Sequence, residues 1–78
     1  MNAEITETFL ALWERSIELS DPNRRGEMEA ERDRIWSGDN RTHATAKSVL
    51  ASIVRNADKS TDEGRELAKK ASMLRATL

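Results

Sequence analysis

The stretch NRTHATAKSVLASIVRNADK, residues 40–59, carries the clearest periodicity in the chain. Its apolar residues Ala46, Val49, Leu50, Ile53, Val54 and Ala57 recur at three- and four-residue spacing, which places them on one face of a helix. Lys59-Ser60 ends this helix, and Ser60-Thr61-Asp62-Glu63 reads as a capping box, with the Ser60 hydroxyl accepting from the third amide and Glu63 reaching back. The helix that follows shows Leu67, Ala68, Ala71, Leu74 and Leu78 on one face, with Lys69, Lys70 and Arg75 toward its negative end. So short a connection makes the two helices antiparallel neighbours, and their alanines permit close approach.

Upstream, Ser37-Gly38-Asp39-Asn40 is a break. Gly38 suits the left-handed conformation that ends a helix, and Asp39, Asn40 or Thr42 caps the next. The preceding helix is expected over about Pro22 to Trp36, opened by Ser20-Asp21-Pro22, because proline favours the first position of a helix and Asp21 or Ser20 caps its free amides. Met28, Ile35 and Trp36 are its only large apolar groups. Pairs such as Glu29 with Arg32 and Glu31 with Arg34 add a few tenths of a kcal/mol each, roughly, while Glu27–Glu31 and Glu29–Asp33 repel. Gly26 weakens its first turns, so this is the segment expected to fray or to depend on a partner.

The first helix is expected from Ala3 to about Leu19 with Asn2 as its N-cap. Ile5, Phe9, Leu12, Trp13 and Ile17 form its stripe, and Leu10 and Leu19 widen the apolar arc to about half the circumference. Such an arc touches more than one neighbour, and a homodimer through this helix is one expectation. No alternating run suggests a strand. The expected architecture is all-α: a single domain, residues 1–78, built as a small bundle of three to four short helices with an antiparallel helix 3–helix 4 hairpin. Its expected core is Phe9, Leu12, Trp13, Ile17, Ile35, Trp36, Val49, Leu50, Ile53, Val54, Leu67 and Leu74.

At 78 residues the core must be thin. Leu, Ile, Val and Phe together fall just below the ~20% at which disorder becomes a live reading, but 13 basic and 14 acidic residues nearly balance, against that reading. With no cysteine, disulfides and cysteine zinc sites are excluded. Met1-Asn2-Ala3-Glu4 opens no basic-then-apolar leader, and no apolar run approaches the ~18 residues of a membrane span, so a cytoplasmic protein with no membrane partner is expected.

Catalytic equipment is sparse. His43 is the only histidine, in the first turn of the third helix and without a cysteine to partner it, which favours a structural or solvent-exposed role. Glu27, Glu29, Glu31 and Asp33 alternate along a helix with an arginine beside each, the pattern of a solvated charged face. No enzyme activity, no metal and no cofactor are therefore expected. Arg24, Arg25, Arg32, Arg34 and Arg41, with Trp36 and the turn to Thr42, form the most informative cluster. Arginine contacts phosphate or carboxylate in bidentate fashion, and tryptophan stacks on bases. The pI near 5.8 opposes a nucleic-acid partner. Trp and Arg are also enriched at protein-binding hot spots.

Trp36-Ser37-Gly38 between helical stretches resembles the turn of the small secreted WXG-type helical hairpins, although Pro22 interrupts the preceding helix and the chain has no tyrosine. The third helix offers Lys47, Arg55 and Asn56 as a DNA-reading face, among too many small residues to serve as one. The expected function is a non-enzymatic protein–protein interaction module, a small regulator or inhibitor that occludes a partner surface. Small compact proteins of this composition are common among phage and mobile-element accessory proteins, anti-defence inhibitors included. Its expected partner-binding residues are Leu10, Trp13, Arg32, Arg34, Trp36 and Arg41. The alternative is a nucleic-acid or phosphorylated-ligand binder using the arginines and the Gly38–Thr42 turn.

Overall fold

A computed structural model describes residues 1–78 and contains four α-helices and no strand: α1 (Ala3–Glu18), α2 (Arg25–Ile35), α3 (His43–Asn56) and α4 (Asp62–Thr77). It is the expected small all-α bundle, with α3 and α4 as its most closely packed pair. No helix is long and apolar enough to cross a membrane.

Capping fixes most of the boundaries. The Asn2 carboxamide oxygen accepts from the Ile5 amide at 2.8 Å, as expected. Thr42, of its three candidates, caps α3 by accepting from the Thr45 amide at 3.2 Å, because Asp39 and Asn40 are taken up in a 3₁₀ turn, Gly38–Asn40. Gly38 has φ +53°, a conformation strained for any other side chain.

Elsewhere the expected boundaries move. Pro22 opens a 3₁₀ turn, Pro22–Arg24, and not α2 itself: the Asp21 carboxylate accepts from the Asn23 amide at 2.9 Å and the Asp21 carbonyl from the Arg24 amide at 2.9 Å, a winding too tight for an α-turn. α1 stops at Glu18, one residue before Leu19. α3 stops at Asn56, where Ala57 turns extended, and the Lys59 ammonium folds back onto the terminal carbonyls of Val54 and Arg55. The cap of α4 is Thr61 and not Ser60. The Thr61 hydroxyl accepts from the Gly64 amide at 3.0 Å, while the Ser60 hydroxyl and amide both donate to Asp58. With the cap moved by one residue, the third helical position is Gly64, so Glu63 is not placed for the reciprocal arm of the box.

Nine apolar side chains are buried: Phe9, Leu12, Trp13 and Ile17 from α1, Ala46, Leu50 and Ile53 from α3, Leu67 and Ala71 from α4. Ala46 and Ala71 were missing from the expected core, yet both are wholly inaccessible, because α3 and α4 approach where a larger side chain would not fit. Gly64 marks a second close approach, between the first turn of α4 and the connection before it: a Cβ there would lie 1.8 Å from the Asp58 carbonyl oxygen. Ile35, Trp36, Val49, Val54 and Leu74, all expected in the core, are only half-buried around it.

α1 packs against α2, α3 and α4 of its own chain, which buries its central stripe and leaves Leu10 half-buried and Leu19 exposed at the edges of the arc. α2 contributes no buried residue and rests on α1. The radius of gyration, 12.0 Å, is close to the roughly 11.5 Å of a compact chain this long, so α2 lies against the bundle and does not project from it.

Candidate functional site

Two side chains one turn apart on α1, Leu10 and Glu14, face two one turn apart at the end of α2, Arg32 and Trp36. With Ala11, Asp33 and Arg41 they line an open cleft of about 430 Å³. Four of the six residues singled out from sequence, Leu10, Arg32, Trp36 and Arg41, therefore meet in one place. The other two do not join them. Trp13 is 8% exposed and belongs to the core, because it shares the α1 stripe with Phe9 and Ile17. Arg34 lies on the outer face of α2, 4.0 Å from Glu31.

An aromatic chain links the core to the cleft. Phe9 packs tilted on Trp13 at 5.4 Å between centroids, and Trp36 meets Phe9 edge-on at 4.9 Å. Trp36 is thus anchored on a buried ring while part of its own surface stays accessible.

Charge in the cleft is arranged around Glu14. Its carboxylate accepts from Arg32 Nη1 and lies 3.5 Å from Arg25 Nη2, so one residue of α1 ties α2 at points two turns apart. Arg32 Nε donates to Asp33 at 3.2 Å. Arg25 Nε donates to Glu29 at 3.1 Å, and that hydrogen bond, with the Glu29 charge behind it, raises the Arg25 pKa above its ordinary value. The expected pairing of Glu29 with Arg32 gives way because Arg32 turns across to Glu14. Arg24 lies 3.7 Å from Glu27, so each of the four alternating carboxylates of α2 is engaged by its own arginine. Arg41 alone among the five arginines of the cluster has no carboxylate partner. Two carboxylates and two guanidiniums line the cleft, which is neutral overall.

The turn beside it is closed on itself. The amides of Asn40, Arg41 and Thr42 donate to the carbonyls of Ser37, Gly38 and Asn40 at 3.1, 3.4 and 2.9 Å, so they do not fan outward to receive an anion. His43 is exposed at the first position of α3 and is not a cleft residue.

Glu14 was not among the residues singled out, and Asp33 reads from sequence only as part of a solvated charged face. The spacing of Glu14 one turn after Leu10 was the available signal, though only the crossing of α2 over α1 gives it meaning. A second feature had no signal in the sequence. On the far side of α2 an open groove of about 1270 Å³ separates it from α3, with Trp13 and Ile17 in its floor and Met28, Ile35, Val49 and Ile53 along its walls. Compared with models of protein families, with characterised proteins and with solved structures, the chain has no match in any of the three.

Proposed function

We propose that this chain is a non-enzymatic protein-interaction module, a small regulator or inhibitor that covers a partner's working surface through the α1–α2 cleft. One observation carries the reading: Trp36, seated on Phe9 yet partly accessible, stands beside Leu10 and two arginines in a neutral cleft. An anchored aromatic with arginine at its edge is the composition of a protein hot spot. Pairing of Arg24, Arg25, Arg32 and Arg34 with carboxylates leaves little uncompensated charge for a phosphate backbone, which favours a protein over the nucleic-acid alternative.

The test is capture from cell extract by the wild-type chain and by three variants. Trp36→Ala and Arg41→Glu should each weaken binding of the captured protein by about tenfold or more. Arg75→Glu, an exposed control on α4, should leave it unchanged. Binding that survives both cleft substitutions, or a captured nucleic acid whose retention falls steeply with salt, contradicts the reading.

A further inference from the structure

We infer that α2 is a detachable strap, which leaves α1 as one unit while α1, α3 and α4 stay folded around their shared core. All nine buried side chains belong to the other three helices. What holds α2 is a short set of contacts: Trp36 on Phe9 of α1, the two arginines on Glu14 of α1, and the half-buried Met28 and Ile35 against the core. Open space flanks it on both sides, the cleft on one and the groove on the other, so no packed neighbour must move for it to leave.

Its ends are also those of a separable element. The first turns of α1, α3 and α4 are closed by the side chains of Asn2, Thr42 and Thr61, whereas α2 has no cap of its own and continues from the 3₁₀ turn that Asp21 closes. Short 3₁₀ turns bracket it, one opened by Pro22 and the other by Gly38 at φ +53°, the few-residue connections that absorb a hinge motion. An 11-residue helix with Gly26 in its first turn does not persist once undocked. Release of α2 is therefore also its melting, and hydrogen exchange reads it directly.

Release would carry Arg32, Asp33 and Trp36 away from Leu10 and Glu14 and uncover Phe9. The strap thereby sets how much of the population presents the cleft; that consequence rests on the proposed function, whereas the undocking does not.

Native-state amide exchange on the full chain, resolved by residue at low denaturant, needs no partner and so stands or falls apart from the interaction reading. The amides of Met28 to Trp36 should exchange at least about tenfold faster than those of Leu50, Ile53, Leu67 and Ala71, with little denaturant dependence. Glu14→Gln should speed α2 exchange by about threefold and leave α3 and α4 unchanged. Equal protection and equal denaturant dependence in α2 and α3 overturn the inference, as does a Glu14→Gln effect shared equally by all four helices.

Discussion

Two glycines inside helices illustrate how surroundings decide the sign of one substitution. Gly26 in α2 has nothing within 4 Å of where a Cβ would stand, so Gly26→Ala gains helix propensity without a clash and should stabilise by up to about 1 kcal/mol. Gly64 in α4 gains the same propensity, but its Cβ would lie 1.8 Å from the Asp58 carbonyl oxygen and 2.6 Å from the carbonyl carbon. Those are backbone atoms of a tight turn, and parting them costs about 1–3 kcal/mol or more, so the net effect is destabilising. Urea midpoints of the two variants should move in opposite directions. A gain for Gly64→Ala would mean that the Asp58 turn stands clear of the start of α4.

The α3–α4 connection is held by its own polar groups. The Ser60 hydroxyl donates to the Asp58 carboxylate at 2.5 Å and the Ser60 amide at 2.9 Å, in that order the causes that hold the Asp58 pKa below its ordinary 3.8. A pKa lowered by folding contributes stability that is fully present above the unfolded value and lost as pH falls through the folded one. Asp58→Asn keeps the shape of the side chain without the charge. Its stability deficit against the wild type should hold from neutral pH down to 3.8 and close below it; unfolding measured along a pH series checks this, and a deficit that stays constant to low pH refutes it. Much at this scale was legible in the sequence: the α3 stripe, the caps at Asn2 and Thr42, and the hairpin itself all depend on residues within a turn of one another. Features that need a second element were not legible. Arg32 reads as a partner of Glu29 until α1 brings Glu14 to it, and the box at Ser60 reads well until the turn claims Ser60 for Asp58. The candidate site follows the same division, for Trp36 and Arg41 stand out by residue type while Glu14 and Asp33 acquire their roles only where α2 crosses α1.

On the scale of the molecule, three helices supply all the fully buried side chains and the fourth only half-buried ones that rest on them. The α1 stripe of Phe9, Leu12, Trp13 and Ile17 is buried inside one chain, and the large apolar side chains left exposed, Met1, Leu19 and Met73, fall at separate places, the N-terminus, the end of α1 and α4. The accessible aromatic surface is then Trp36, not Trp13, and on that rests the proposal of an interaction face at the α1–α2 cleft. The measurement that tests this most directly is acrylamide quenching of two single-tryptophan chains, Trp13→Phe and Trp36→Phe. The chain that keeps Trp36 should emit at longer wavelength and be quenched several times more strongly than the chain that keeps Trp13. Equal quenching of the two, or stronger quenching of Trp13, would contradict both the closed three-helix core and the cleft built on its outer helix.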